Sequence, residues 1–73
     1  KEYEIPNEAK VISFTGRLIP EKGIKQLVSA VKKINISRIK NGQIPVYLMI
    51  AGDGILYQEL IEMSDPYIIL TGF

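Results

Sequence analysis

Residues 11–31 read VISFTGRLIPEKGIKQLVSAV, and a change of period inside that stretch decides the fold. Val11-Ile12-Ser13-Phe14-Thr15 is short, β-branched and aromatic, and it stops at Gly16. That pattern predicts a strand, and its near-continuous apolar character predicts burial on both faces. Residues 16–23 carry Pro20 and Gly23, which mark a loop. From Ile24 the apolar residues Ile24, Leu27, Val28, Val31 and Ile34 recur at helical spacing, while Lys25, Gln26, Lys32 and Lys33 take the other side. The amphipathic helix is expected to run to Arg38 or Ile39. Asn41-Gly42 stops it, because both residues favour a left-handed C-terminal cap.

Working outward, residues 1–9 are a polar lead-in containing Pro6 and Asn7. Beyond Pro45 a second apolar run, residues 46–51, ends in Gly52-Asp53-Gly54. A shorter helix follows, with Leu56, Leu60, Ile61 and Met63 set among Gln58, Glu59 and Glu62, and Asp53 is the expected N-cap. Ser64-Asp65-Pro66 turns the chain into a third strand, residues 67–71, closed by Gly72. Strands alternating with helices pair in parallel through right-handed crossovers. The fold class is therefore α/β: half of a Rossmann-like doubly wound parallel sheet, β-α-β-α-β, with residues 11–15 beside 46–51 and these beside 67–71. In the strand order 3-2-1-4 the first strand is interior. Because the sequence stops at Phe73, just after the third strand, the expectation is a truncated piece whose first strand presents an unpaired apolar edge. Marginal folding and self-association through that edge are expected with it.

With 73 residues the chain is shorter than the commonest domain size of about 100–150. Its composition, 47% hydrophobic and 23% charged, nevertheless suits a packed interior and excludes disorder. There is no Cys and no His, so neither a disulfide nor an ordinary zinc, iron or copper site is expected. A formal net charge of +1 argues against a surface dedicated to nucleic acid or anionic membrane. No apolar run approaches the roughly 18–20 residues that span a bilayer. The opening Lys1-Glu2-Tyr3-Glu4-Ile5-Pro6 lacks the character of a signal peptide, and a cytoplasmic location is the expectation.

Ligands of open α/β sheets sit outside the C-terminal ends of the strands. Those ends carry Thr15-Gly16-Arg17, Ala51-Gly52-Asp53-Gly54 and Thr71-Gly72-Phe73. In the first loop Arg17 and Lys22 flank the N-terminus of the coming helix. A guanidinium fork, a mobile ammonium and a helix end with unpaired N–H groups together suit a diphosphate. Solvated loop charges, with Glu21 as a partner, account for the same residues equally well on chemistry alone. A dinucleotide fingerprint fails, since no glycine lies between Gly16 and Gly23, and Tyr57 stands where Gly52-x-Gly54 would need its third. A Walker loop fails too, because the order is Lys22-Gly23-Ile24.

The ordered set VISFTGRLIPEKGIKQLVSAV, VYLMIAGDG and IILTGF resembles the C-terminal lobe of GT-B-fold glycosyltransferases of the group 1 (family 4) type. The likeness runs over residues 11–73: strand, Gly-Arg, Lys-Gly, amphipathic helix, strand ending Gly-x-Gly, strand ending Gly-Phe. It implies that residues 1–73 are the front half of the nucleotide-sugar-binding lobe of a larger enzyme. It also implies hexosyl transfer from a nucleotide-diphosphate sugar, retaining and independent of metal. The donor is a substrate, so no cofactor is expected. By the resemblance Arg17 and Lys22 hold the diphosphate and stabilise charge on the leaving group, Gly16 allows close approach, and Gly52 and Gly54 shape the nucleotide pocket. The sugar, lipid or polysaccharide acceptor would bind another lobe, and the whole enzyme could sit peripherally at the inner face of a membrane.

The family's Glu-x7-Glu signature has no counterpart, as no two glutamates stand eight positions apart, so these residues alone are expected to be inactive. Two rivals remain. A non-catalytic phosphate-binding module of receiver or flavodoxin type would need acidic residues at its first strand, where Lys10-Val11-Ile12-Ser13 supplies none. A purely structural Rossmann half would leave the loop charges idle. Asn35-Ile36-Ser37 matches a glycosylation acceptor by chance. Tyr47, Tyr57 and Tyr67 are expected to pack, and Lys32-Lys33 to face solvent.

Overall fold

The computed structural model describes residues 5–72; the first residues of the lead-in and the Phe73 of the last strand's Gly-Phe lie outside them. Three strands, β1 (Val11–Thr15), β2 (Tyr47–Ala51) and β3 (Ile68–Leu70), form one sheet in the order β1-β2-β3. Both pairings are parallel, with Ile12 opposite Leu48 and Leu48 opposite Ile68. The helices α1 (Ile24–Lys40) and α2 (Tyr57–Met63) make the crossovers. This is the expected α/β half-unit, with every element in its place.

Both helices cover one face of the sheet. Leu48 and Ile50 of β2, with Ile68 of β3, join Ile24, Val28 and Val31 of α1 and Leu60 of α2 in a single buried cluster. Each such side chain contributes roughly 1.5–3 kcal/mol by leaving water. Leu18, in the loop after β1, is wholly buried in the same cluster. The opposite face carries Tyr47 and Tyr67, whose rings meet edge to face at 5.5 Å, so these tyrosines pack as expected.

Four features depart from expectation. β1 is not buried on both faces: Val11 is 44% and Ile12 39% exposed. β1 is the outer strand among the described residues, so its apolar run has an open side. On α1 the inward stripe is Ile24, Val28, Val31 and Asn35, whereas Ile34 is 47% exposed. The Asn35 amide can be buried because both its nitrogen and its oxygen are hydrogen-bonded, donating to the Val46 carbonyl at 2.9 Å and accepting from the Val46 N–H at 2.7 Å. Lys32 is half-buried and donates to the Met63 carbonyl at the end of α2, where a cation also suits the helix dipole. Finally, Asp53 is not the cap of α2. That helix starts at Tyr57 with Leu56 in the N-cap position, and the Asp53 carboxylate accepts from the neighbouring Gly54 N–H.

Candidate functional site

The loops leaving β1 and β2 run side by side at the C-terminal edge of the sheet. The ladder continues past the strands: Gly16 N–H donates to the Ala51 carbonyl at 3.1 Å, and Leu18 N–H to the Asp53 carbonyl at 3.1 Å. Leu56 N–H in turn donates to the Leu18 carbonyl at 3.0 Å. Two glycines make this approach possible. A Cβ on Gly52 would lie 2.0 Å from the Gly16 carbonyl oxygen, and one on Gly54 would lie 2.7 Å from that of Leu18. No L side chain fits at such distances from backbone atoms.

Between the two tethered residues stands Arg17, exposed. It lines an open cavity of about 460 Å³ with Asp53, Gly54 and Ile55. Ile55 is 78% exposed there, an apolar side chain at the mouth of a charged pocket. The Asp53 carboxylate is engaged by the Gly54 N–H at 2.9 Å. Among the described residues Glu21 forms no ion pair; the pair present joins Lys25 to Glu59 on the surface.

Lys22 lies elsewhere on the same loop. Residues Pro20–Lys22 form a 3₁₀ turn, an element absent from the sequence reading, in which Lys22 N–H donates to the Ile19 carbonyl. Gly23 closes the turn in the left-handed conformation, φ 68°, and serves as N-cap of α1. A glycine has no side chain to cap the helix, and the first turn of α1 holds no acidic residue. The helix end thus keeps its partial positive charge unanswered by a carboxylate. Lys22 is exposed beside it but does not line the Arg17 cavity.

Of the sequence-derived site residues, the structure gathers Arg17 and Gly54 at the cavity and puts Gly16 in the backbone ladder beside it. Gly52 is buried under Gly16, outside the cavity lining. Leu18 and Ile55 were missed. Leu18 had a signal, since a leucine between a charged residue and Pro20 has little reason to sit in a solvated loop. Ile55 had none. A second cavity of similar volume lies away from the strand ends, where Lys25, Gln26 and Lys33 of α1 meet Met63.

No helix among the described residues is long and apolar enough to cross a membrane. Residues 1–71 match the family model described as glycosyl transferases group 1. Comparisons with curated proteins and with solved structures gave no match.

Proposed function

The chain belongs to the glycosyl transferases of group 1, and from that premise we propose that its strand-end loop binds the diphosphate of a nucleotide-sugar donor. In this reading residues 1–73 are the front half of the donor-binding lobe of a GT-B enzyme that transfers a hexosyl group with retention. Arg17 and Lys22 approach the diphosphate from two directions, Arg17 from the cavity and Lys22 from the foot of α1. The uncapped first turn of α1 adds N–H donors. As the bond to the anomeric carbon breaks, negative charge grows on the departing phosphate, and fixed cations stabilise that state more than the ground state. No metal is invoked in this step.

The observation that carries the reading is Arg17 held at the C-terminal end of a parallel strand, in a cavity beside a second glycine loop. The receiver-type alternative would need acidic residues at the first strand, where Lys10-Val11-Ile12-Ser13 supplies none, and the idle-charge alternative leaves the construction of the loop unexplained. The acceptor would be a sugar, lipid or polysaccharide, bound outside these residues.

The test is calorimetric titration of the full-length transferase with UDP, ADP and GDP, and with the matching monophosphates, in EDTA. A diphosphate should bind more tightly than its monophosphate, and Arg17→Ala and Lys22→Ala should each weaken it by about tenfold or more. Equal affinity for mono- and diphosphate would overturn the assignment. Binding that appears only when magnesium or manganese is supplied would overturn the metal-free mechanism.

A further inference from the structure

We propose that Gly52 and Gly54 are positioning residues: they form a notch that fixes the backbone on both sides of Arg17 and so sets where its guanidinium stands. The inference rests on the diphosphate reading of Arg17 and adds the part of the molecule through which that residue is aimed.

The geometry alternates. Gly16 sits over Gly52 and Leu18 over Gly54, each at a distance that excludes a Cβ. The Cβ of residue 54 would meet three backbone atoms of Leu18, at 2.7, 2.9 and 3.1 Å. A backbone flanked by hydrogen bonds cannot yield as the tip of a flexible side chain can. Leu18 also cannot swing outward, because its side chain is fully buried in the core. Its N–H and carbonyl are both spent on the opposite loop, at Asp53 and Leu56. Residues 16 and 18 are thereby fixed from below, leaving the side chain of residue 17 directed to the cavity that Asp53, Gly54 and Ile55 complete.

A methyl group on residue 54 must therefore push the Leu18 backbone, and Arg17 moves with it. A displacement near 1 Å in a reacting geometry can cost about 100-fold in rate. The loss should fall on kcat more than on donor KM, because the charge to be met is largest in the transition state.

The experiment is a double-mutant cycle in the full-length transferase, with kcat and donor KM measured for Gly54→Ala, Arg17→Ala and the double variant. Gly54→Ala is expected to lower kcat by about tenfold or more. In the Arg17→Ala background the same change should have almost no further effect, since nothing is left to aim. Unaltered kcat in a folded Gly54→Ala variant overturns the proposal. So does an equal fractional loss in both backgrounds, which would leave the diphosphate reading intact. Arg17→Ala with parental activity removes both. Should Gly54→Ala fail to fold, Leu18→Met carries the same cycle, because a swap of similar volume is tolerated by cores while it shifts the anchor. There a loss of about threefold that vanishes with Arg17→Ala supports the notch, and a loss that persists overturns it.

Discussion

The two ends of the sheet are joined to their surroundings in opposite ways. At the N-terminal end of β2 a side chain makes the join: the Asn35 amide of α1 reaches over and satisfies both backbone groups of Val46. At the C-terminal end the join is backbone to backbone, with Gly16 and Leu18 bonded to the loop after β2. The first device consumes a side chain and buries it. The second uses main-chain hydrogen bonds anchored by the buried Leu18 side chain, and Arg17, Asp53 and Ile55 line a cavity beside it. On the proposed reading stability and function would be separated along the strand direction, in keeping with the rule that α/β sheets bind ligands beyond the C-terminal strand ends.

That separation can be broken most forcefully at the loop. Arg17→Ala or Lys22→Ala in the full-length transferase should lower kcat by about 100- to 1,000-fold. The melting temperature should barely move, because exposed substitutions away from special features stay within about 0.5 kcal/mol. A large drop in thermal stability with either variant would mean that the C-terminal end also holds the fold together through its charges.

Asn35→Ala should do the reverse. It strands a buried N–H and a buried carbonyl at Val46, each costing about 1–3 kcal/mol, so urea unfolding should show a loss of about 2–6 kcal/mol. Turnover per folded molecule should stay at the parental value. If kcat falls instead with stability kept, the two ends communicate and the contrast is false.

Lys25→Ala sets the floor. Its ion pair with Glu59 has both side chains nearly half exposed, 45% and 49%, and such pairs are worth under about 1 kcal/mol. A larger effect would show that the link between α1 and α2, belonging to neither end, matters as much as the Asn35 amide.

The contrast also explains how much could be read from the residues alone. Element order, parallel pairing and the place of Arg17 after the first strand followed from period changes and glycines, because these are local signals. Asn35 was left off the apolar stripe because only apolar residues were counted on it, although Ile24, Val28, Val31 and Asn35 continue one buried helical stripe. Its partner is a backbone eleven residues away in sequence, Val46, and no local pattern encodes such a bond. Asp53 was misread for the opposite reason. The local rule for capping was satisfied, but the loop needs three more residues to pass over Leu18 before α2 starts at Tyr57. The glycines after β2 are read from the sequence as shaping a nucleotide pocket, whereas the contact they make with the neighbouring loop is visible only in three dimensions.

The crossed loops have a consequence for motion. The amide hydrogens of Leu18 and Leu56 lie outside the strands, yet their bonds to Asp53 and Leu18 bridge two segments that the sheet itself holds together. Solvent exchange at these positions requires the loops to part, and that in turn requires Leu18 to leave the core. They should therefore exchange with the slow set of β2 amides and not with surface loops, which open at little cost. A segment that opens only when the sheet opens cannot act as a lid. On the proposed reading the Arg17 charge would stand in position before a ligand arrives, and any closing movement during turnover would have to come from elsewhere.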